Sequence, residues 1–230
     1  MGLTNGAKSE LEALIHNIVH DLRSPLVTIE SMVVLLRESA SSRLDKDETS
    51  YLEHIESGAR LMRDLLSDLT EYTLLAEKVD PIGAVDLRDV MDQLLVELAP
   101  EIARAKGDVR LDGDLPTVHA DAAAVQTILR QLLENSLKFV RPGVAPAVSV
   151  SSRRQGGFYE IEVADEGIGI PEASRQRVFG IFTKLHPRAK YGGNGIGLAL
   201  VKRAVESHGG QVRIEPREPA GTRVIFTLPA

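Results

Sequence analysis

Apolar residues in the first third of the chain recur at intervals of three and four, the spacing that places them on one side of an α-helix. One such series extends from Leu11 to Leu36, and a second extends from Tyr51 to Tyr72. Between them lies a short stretch of small and charged residues around positions 40–48. The pattern therefore predicts a first helix over about 8–39, a second helix through 51–72, and an antiparallel hairpin of the two.

A hairpin of two amphipathic helices has too few partners for all of its apolar side chains. The sequence therefore predicts either docking on a partner or a homodimer in which two hairpins form a four-helix bundle, and we favour the dimer. The side chains expected between the two copies are Ile18, Leu22, Ile29, Met62, Leu65 and Leu69.

Pro81 and Gly83 interrupt the helical pattern, which predicts a helical domain of residues 1–78 and a second domain of residues 79–230.

After the boundary the pattern alternates between helical and extended segments. Helices are predicted over 87–106, 121–140 and 196–208, with a short helix over 172–180. Strands are predicted at "DVRLDG", "AVSVSSRR", "FYEIEVAD", "GQVRIEP" and "TRVIFTLP". These elements predict an α+β sandwich with one helical layer on one sheet.

Composition limits the classes of function. The net charge of −6 without a Lys/Arg-rich block argues against nucleic acid as a partner. The absence of cysteine excludes disulfides and thiolate metal sites. No apolar run approaches the roughly 20 residues that cross a bilayer, so we expect a cytoplasmic chain without a membrane segment.

Three stretches of the second domain suggest a phosphate-bearing ligand. "DEGIGI", residues 165–170, follows a strand, and its glycines allow a ligand to approach the backbone closely. "GGNGIGLAL", residues 192–200, places four glycines before an apolar helix, whose N-terminal N–H groups can receive phosphate. "LLENSLKFV" places Asn135 and Lys138 on one helix face, where Mg²⁺ and phosphate could meet. Each stretch alone also fits an ordinary loop or a solvated helix face.

Taken with "HDLRSPL" and "VFGIFTKL", these stretches resemble, in order and spacing, the H-box, N-box, first glycine box, F-box and second glycine box of sensor histidine kinases. The resemblance covers residues from about 10 to 229. The segment "FTKLHPRAKYGGNGIGLALVK" is most similar to kinases attached to phytochrome-type sensors. The resemblance implies a GHKL-type ATP-binding domain that uses ATP and Mg²⁺, autophosphorylation on histidine, and transfer to an aspartate of a response-regulator receiver domain. It also implies an upstream sensor domain or partner that is not in this sequence.

The same resemblance assigns roles in the first helix. His20 corresponds to the phosphoacceptor, and Asp21 to the acidic neighbour that holds one ring nitrogen protonated. Ser24 stands where many members carry Thr or Asn, the residue that positions water for dephosphorylation of the partner. Pro25 is expected to kink the helix. The remaining histidines lack metal-ligand spacing and are expected to be structural or superficial: His16, His54, His119, His186 and His208.

In the second domain the resemblance assigns Asp165 to the adenine amino group, with Thr222 completing that pocket. Asn135 would hold Mg²⁺, Lys138 would reach a phosphate, and Phe139 would lie near adenine or ribose. The other residues expected to contact ATP are Gly167, Gly169, Arg188, Lys190, Gly193, Gly195, Gly197 and Leu198. The chain departs from the family at Gln131, where a further asparagine is frequent.

The sequence leaves two alternatives open. One is a non-catalytic histidine phosphotransfer or scaffold protein whose kinase-like domain is only a docking surface, and the intact Asp165, Asn135 and glycine boxes argue against it. The other is an ATPase of the chaperone or mismatch-repair type. The hairpin with "HDLRSPL" argues against that second alternative.

Overall fold

The computed structural model describes residues 5–40, 43–77, 82–187 and 191–230. These residues form two compact units, one extending to Leu74 and one beginning at Leu75. Within the described residues, none of the helices combines the length and the apolar character needed to cross a membrane.

The first unit is a helical hairpin, as predicted, formed by α1 (Asn5–Ala40) and α2 (Lys46–Glu77). Arg63 forms an ion pair with Glu30 at 3.0 Å and Arg37 pairs with Glu56 at 2.7 Å, so the two helices run antiparallel. Reciprocal backbone and side-chain hydrogen bonds between Asp45 and Glu48 form a capping box at the start of α2. The first helix continues through Pro25.

The hairpin is held together by a narrow, mostly apolar seam in which buried residues recur every seventh position. These residues are Val19, Leu26 and Val33 on α1, and Leu52, Ala59, Leu66 and Thr73 on α2. A repeat of seven keeps one row of side chains on the line of contact between two long helices.

A second apolar row on each helix remains exposed in the single chain. On α1 it comprises Ile18, Leu22, Ile29, Met32 and Leu36, and on α2 it includes Tyr51, Ile55 and Met62. Four of the residues expected at the interface between copies belong to this row, and their exposed fractions lie between 43% and 46%. The other two, Leu65 and Leu69, are partly buried.

The second unit is the predicted α+β sandwich. Its helices are α3 (Leu87–Glu97), α4 (Ala99–Ala105), α5 (Ala122–Lys138) and α6 (Gly197–Ser207). Its strands are β1 (Gly83–Asp86), β2 (Asp108–Asp112), β3 (Thr117–Ala120), β4 (Ala147–Gln155), β5 (Phe158–Asp165), β6 (Val212–Pro216) and β7 (Thr222–Pro229). Five strands form one sheet in the order β2-β4-β5-β7-β6, where β2 and β4 are parallel and the other pairs antiparallel. The helical layer buries residues such as Leu129 and Val201 against Ile161 and Phe226 of this sheet.

Two local predictions for this unit were wrong, and one pair of strands was missed. The helix predicted over 87–106 ends at Glu97 and restarts at Ala99, because Pro100 lacks the N–H group that a continuous helix would use. The segment 172–180 forms two short 3-10 turns instead of one helix. The antiparallel pair of β1 and β3 was missed, since strands of four residues give almost no periodic signal.

A buried histidine fixes the two helices that flank the candidate site. The backbone N–H of Asp121, the N-cap residue of α5, donates to Nε2 of His208 at 3.0 Å. Because Nε2 accepts, the proton of the neutral ring lies on Nδ1, which donates to the carbonyl of Ala204 at 2.7 Å. His208 therefore ties the start of α5 to the end of α6, the structural role expected for it.

Candidate functional site

His20 lies on α1 with its side chain 82% exposed. Its Nδ1 atom is 3.3 Å from Oδ1 of Asp21, so two adjacent helical residues meet although helix geometry usually keeps such neighbours apart. An Nδ1–H group that donates to Asp21 leaves Nε2 with its lone pair directed to solvent. The pair is too exposed to stabilise the fold appreciably. The contact between His20 and Asp21 instead orients the imidazole ring of His20.

Ser24 lies one turn after His20 on an exposed part of α1. Residues four apart share a helix face, so the Ser24 hydroxyl lies on the side of the helix that carries His20. The Ser24 carbonyl accepts a hydrogen bond from Oγ1 of Thr28 at 3.2 Å.

In the second unit, Asp165 ends β5 with its carboxyl group fixed by backbone donors. Its Oδ1 atom accepts from the N–H of Gly167 at 2.8 Å and from the N–H of Thr222 at 3.3 Å. Thr222 is the direct partner of Asp165 across the β5–β7 pair. Burial raises the pKa of Asp165 above its usual value, while these N–H groups, the charge of Arg217 and the Ser136 hydroxyl partly oppose the rise.

Two glycines allow the backbone to close tightly around Asp165. A Cβ atom on Gly167 would lie 2.3 Å from the carbonyl oxygen of Phe139, at the end of α5. A Cβ atom on Gly221 would lie 1.9 Å from the carbonyl oxygen of Asp165. Any larger residue at either position would displace the turn that carries Asp165. Gly169, the other glycine of this motif, has a positive φ of 73°.

One face of α5 lies against the second glycine-rich loop. A Cβ atom on Gly197 would approach Oε1 of Gln131 to 2.4 Å and Nδ2 of Asn135 to 3.6 Å. A Cβ atom on Gly193 would lie 2.3 Å from Nζ of Lys138. The structure thus brings together the carboxamides, the ammonium group and the loop that the sequence had placed in separate motifs.

The start of α6 is open to an anionic ligand. Its N-cap residue is Ile196, whose side chain has no oxygen that could accept from the first N–H groups of the helix. The first turn contains no acidic residue. The side chain of Leu198 packs against the domain core, which leaves only its backbone to face a ligand. Gly195, with a φ of 79°, precedes this turn. Such a terminus favours phosphate.

The residues near this terminus fit a magnesium ion that is held mainly by phosphate and water. Within the described part of the chain, no three His, Cys, Asp or Glu side chains cluster as they would in a protein-built metal site. The carboxamides of Asn135 and Gln131 lie near this terminus and can donate oxygen. Mg²⁺ commonly keeps several waters and takes few protein ligands beside substrate phosphates.

An aromatic cluster at the end of α5 was mostly missed by the sequence analysis. The Phe139 ring lies 5.2 Å from that of Tyr191 and 6.3 Å from that of His186, between ring centroids. Nζ of Lys138 lies 4.9 Å from the centroid of Phe139. The position of Tyr191 directly before the glycine loop was the only available signal. Arg188 and Lys190 lie outside the described residues.

Family models match most of the chain in two segments. The model described as "His Kinase A (phospho-acceptor) domain" matches residues 10–77. The model described as "Histidine kinase-, DNA gyrase B-, and HSP90-like ATPase" matches residues 120–230. The first segment contains His20, and the second contains every expected ATP contact.

Curated proteins similar to the chain include sensory and regulatory kinases and a phytochrome-like protein. The methanogenesis regulatory histidine kinase FilI of Methanothrix harundinacea is 35% identical over the whole chain, which covers 26% of that protein. The phytochrome-like protein Cph1 of Synechocystis is 29% identical over 97% of the chain, which covers 30% of it. The adaptive-response sensory kinase SasA of Synechococcus is 32% identical over 92% of the chain, which covers 57% of it. The chain thus spans about a quarter to just over half the length of these relatives.

Solved structures share the fold. Full-length ShkA in complex with AMPPNP aligns over 94% of the chain and 45% of ShkA, with a TM-score of 0.72 and 23% identity. The histidine kinase ThkA in complex with the response regulator protein TrrA aligns over 97% of the chain and 63% of ThkA, with a TM-score of 0.65 and 21% identity.

Proposed function

Since the chain belongs to the histidine kinase family, we propose that it transfers the γ-phosphoryl group of ATP to His20 and then to an aspartate of a response-regulator receiver domain. We assign phosphotransfer to a domain of residues 1–78 and ATP binding to a domain of residues 79–230. One observation carries the proposal. An exposed imidazole oriented by Asp21 occurs in the same chain as an uncapped helix start flanked by Asn135 and Lys138.

The nucleotide would be held by groups at both ends of the second unit's site. The fixed carboxylate of Asp165 would accept a hydrogen bond from the adenine amino group, beside Thr222. The N–H groups at the start of α6 and the Lys138 ammonium would bind the phosphates. Asn135, with Gln131 beside it, would provide the protein ligand for Mg²⁺. When bound, this ion supplies neutralisation of charge on the phosphate oxygens.

His20 would act as the nucleophile through Nε2. A bond forms between Nε2 and the γ-phosphorus, the bond from that phosphorus to the β–γ bridging oxygen breaks, and ADP leaves with the electron pair. The Nδ1 proton remains on the ring and is stabilised by Asp21 as the imidazole becomes cationic. Formation of the Nε2–phosphorus bond and departure of ADP therefore require no removal of a proton from His20 before the attack.

Phosphoryl transfer onward requires a partner that brings a carboxylate to the exposed His20. A protein of the same fold, ThkA, has been solved with a response regulator, and this supports a receiver domain as the partner. We also assign Ser24 to dephosphorylation of that partner, because its hydroxyl lies on the His20 face of α1 and can orient a water molecule.

The proposal is tested by incubating the chain with γ-labelled ATP and Mg²⁺. We expect label on the protein that survives base and is lost in acid, because protonation of the imidazole makes it a good leaving group. A parallel titration with ATP separates kinase from scaffold, since the scaffold alternative predicts no nucleotide binding. Label that survives acid would place the phosphate on an oxygen and would contradict the proposal.

We propose further that two chains form the four-helix bundle, with the exposed apolar rows of α1 and α2 between them. Burial of an isoleucine contributes about 1.5–3 kcal/mol, and each substitution acts twice in a symmetric dimer. Ile29→Glu should therefore raise the dimer dissociation constant at least about 100-fold, as measured by light scattering over a concentration series.

The matched control for this substitution is Ser39→Glu, which adds the same charge at an exposed polar position of α1. The control should remain dimeric. An unsubstituted chain that is monomeric at micromolar concentration would contradict the bundle.

A further inference from the structure

Arg217 lies in the connection between β6 and β7, behind the candidate adenine site. Its guanidinium donates from Nη1 to the carbonyl of Ala164 at 3.2 Å and from Nη2 to Oε1 of Glu166 at 3.2 Å. These two acceptors belong to the residues immediately before and after Asp165. One planar, forked side chain therefore binds to the residues on both sides of the aspartate.

The loop that carries Arg217 is packed directly on the backbone of Asp165. The N–H of Arg217 donates to the carbonyl of Gly221 at 3.4 Å, which closes the loop. Gly221 approaches the Asp165 carbonyl so closely that a Cβ atom there would lie 1.9 Å from it. The next residue, Thr222, donates its N–H to the Asp165 carboxylate. A shift of this loop would therefore move both the Thr222 N–H that donates to the Asp165 carboxylate and the backbone of Asp165.

Arg217 also provides positive charge near the carboxylate. Burial raises the pKa of Asp165, and the charge of Arg217 opposes that rise. The other groups that lower this pKa are the Gly167 and Thr222 N–H groups and the Ser136 hydroxyl, all of them neutral. Arg217 is thus the charged member of the set that opposes the effect of burial on Asp165.

We propose that Arg217 is a positioning residue for adenine recognition, which fixes the turn of residues 164–166 so that Asp165 presents its carboxylate to the amino group of the base. The inference rests on the proposed function, because it requires that Asp165 contact adenine. The sequence motifs of the nucleotide site do not include Arg217. Its contribution depends on two separate properties, the fork that reaches two acceptors and the positive charge.

The test compares the affinities of the full chain for ATP and for inosine triphosphate, which carries a carbonyl oxygen in place of the adenine amino group. Arg217→Gln should weaken ATP binding roughly tenfold and leave the weaker binding of inosine triphosphate nearly unchanged, so that the ratio of affinities falls. Arg217→Lys keeps the charge without the fork and should restore part of the ratio.

The control is Arg213→Gln on β6, whose guanidinium pairs with Glu160 and Glu215 instead. It should keep the affinity ratio of the unsubstituted chain. Equal losses for both nucleotides in Arg217→Gln, or an unchanged ratio, would overturn the inference. If Arg217→Gln fails to fold, the ratio of ATP to inosine triphosphate affinities is measured on Arg217→Lys, and the same two outcomes would overturn the inference.

Failure of the inference can be told from failure of the proposed function. If the unsubstituted chain does not distinguish ATP from inosine triphosphate, the assignment of Asp165 to adenine falls and the role of Arg217 falls with it. If Asp165→Asn abolishes the distinction and Arg217→Gln does not, the adenine site stands and only the positioning role is overturned.

Discussion

A chain carrying His20→Gln is expected to incorporate no label from γ-labelled ATP above background, while it binds ATP with the affinity of the unsubstituted chain. Glutamine is polar and tolerated in helices, and the His20 side chain is 82% exposed, so the substitution should change stability by no more than about 0.5 kcal/mol. Its carboxamide nitrogen, however, has no lone pair available for attack on phosphorus. The loss should therefore be complete and confined to the chemical step.

The appropriate control is His54→Gln, since His54 is an exposed histidine of the same hairpin, on α2. This variant should be labelled at the rate of the unsubstituted chain. Undiminished labelling of the His20→Gln variant would show that the phosphoacceptor is another residue, and loss of labelling in the His54→Gln variant would show that the assay responds to damage of the hairpin.

The pattern of apolar residues predicted the elements of both units because long amphipathic segments bury one face continuously. It could not assign partners to that face. Ile18, Leu22 and Val33 all belong to the apolar series from Leu11 to Leu36, which predicts one stripe. The structure buries Val33 in the hairpin and leaves Ile18 and Leu22 exposed. Two rows that differ by a fraction of a turn appear as one stripe when only the spacing is considered.

The site was predictable where a motif is contiguous and was missed where the contact is formed by distant segments. Asn135, Lys138 and Asp165 were predicted because their neighbours in sequence form motifs. Arg217 lies 51 positions after Glu166 in the sequence, and nothing in its local sequence indicates that contact. The same limitation applies to Tyr191, whose ring reaches the end of α5.

One prediction of local geometry also proved incomplete. Helix geometry alone gave no reason to expect a contact between His20 and Asp21, and that role rested on the resemblance. The structure places the two side chains 3.3 Å apart because both are free to turn toward solvent and toward each other. Exposed side chains on a helix surface have this freedom, whereas buried ones do not.

Asp165→Asn should lower the affinity for ATP by about 10- to 100-fold and at the same time leave the fold at least as stable at neutral pH. The affinity falls because the asparagine must turn its NH₂ group toward the adenine amino group or toward the backbone donors that now bind Oδ1. Either arrangement leaves a donor facing a donor. Isothermal titration measures this loss.

The stability effect has the opposite sign because burial raises the pKa of Asp165 in the folded state. A carboxyl group whose pKa is higher folded than unfolded favours folding when it is protonated, and that contribution is lost as the pH rises through the folded-state pKa. At neutral pH the ionised Asp165 therefore destabilises the fold, and asparagine removes this cost. Denaturant unfolding should show the advantage of the Asn variant at neutral pH, and the advantage should shrink as the pH falls through the pKa of Asp165.

Glu162→Gln provides the comparison, because it removes a carboxylate from the same strand but from an ion pair with Arg223. It should leave the affinity for ATP unchanged and should not raise the free energy of unfolding. If Asp165→Asn instead lowers the free energy of unfolding and spares ATP binding, the carboxylate serves the fold and the adenine assignment is wrong. If Asp165→Asn lowers the affinity for ATP and raises the free energy of unfolding, the ionised Asp165 destabilises the ligand-free fold. A ligand that binds this carboxylate then gives the physical reason for keeping the charge there.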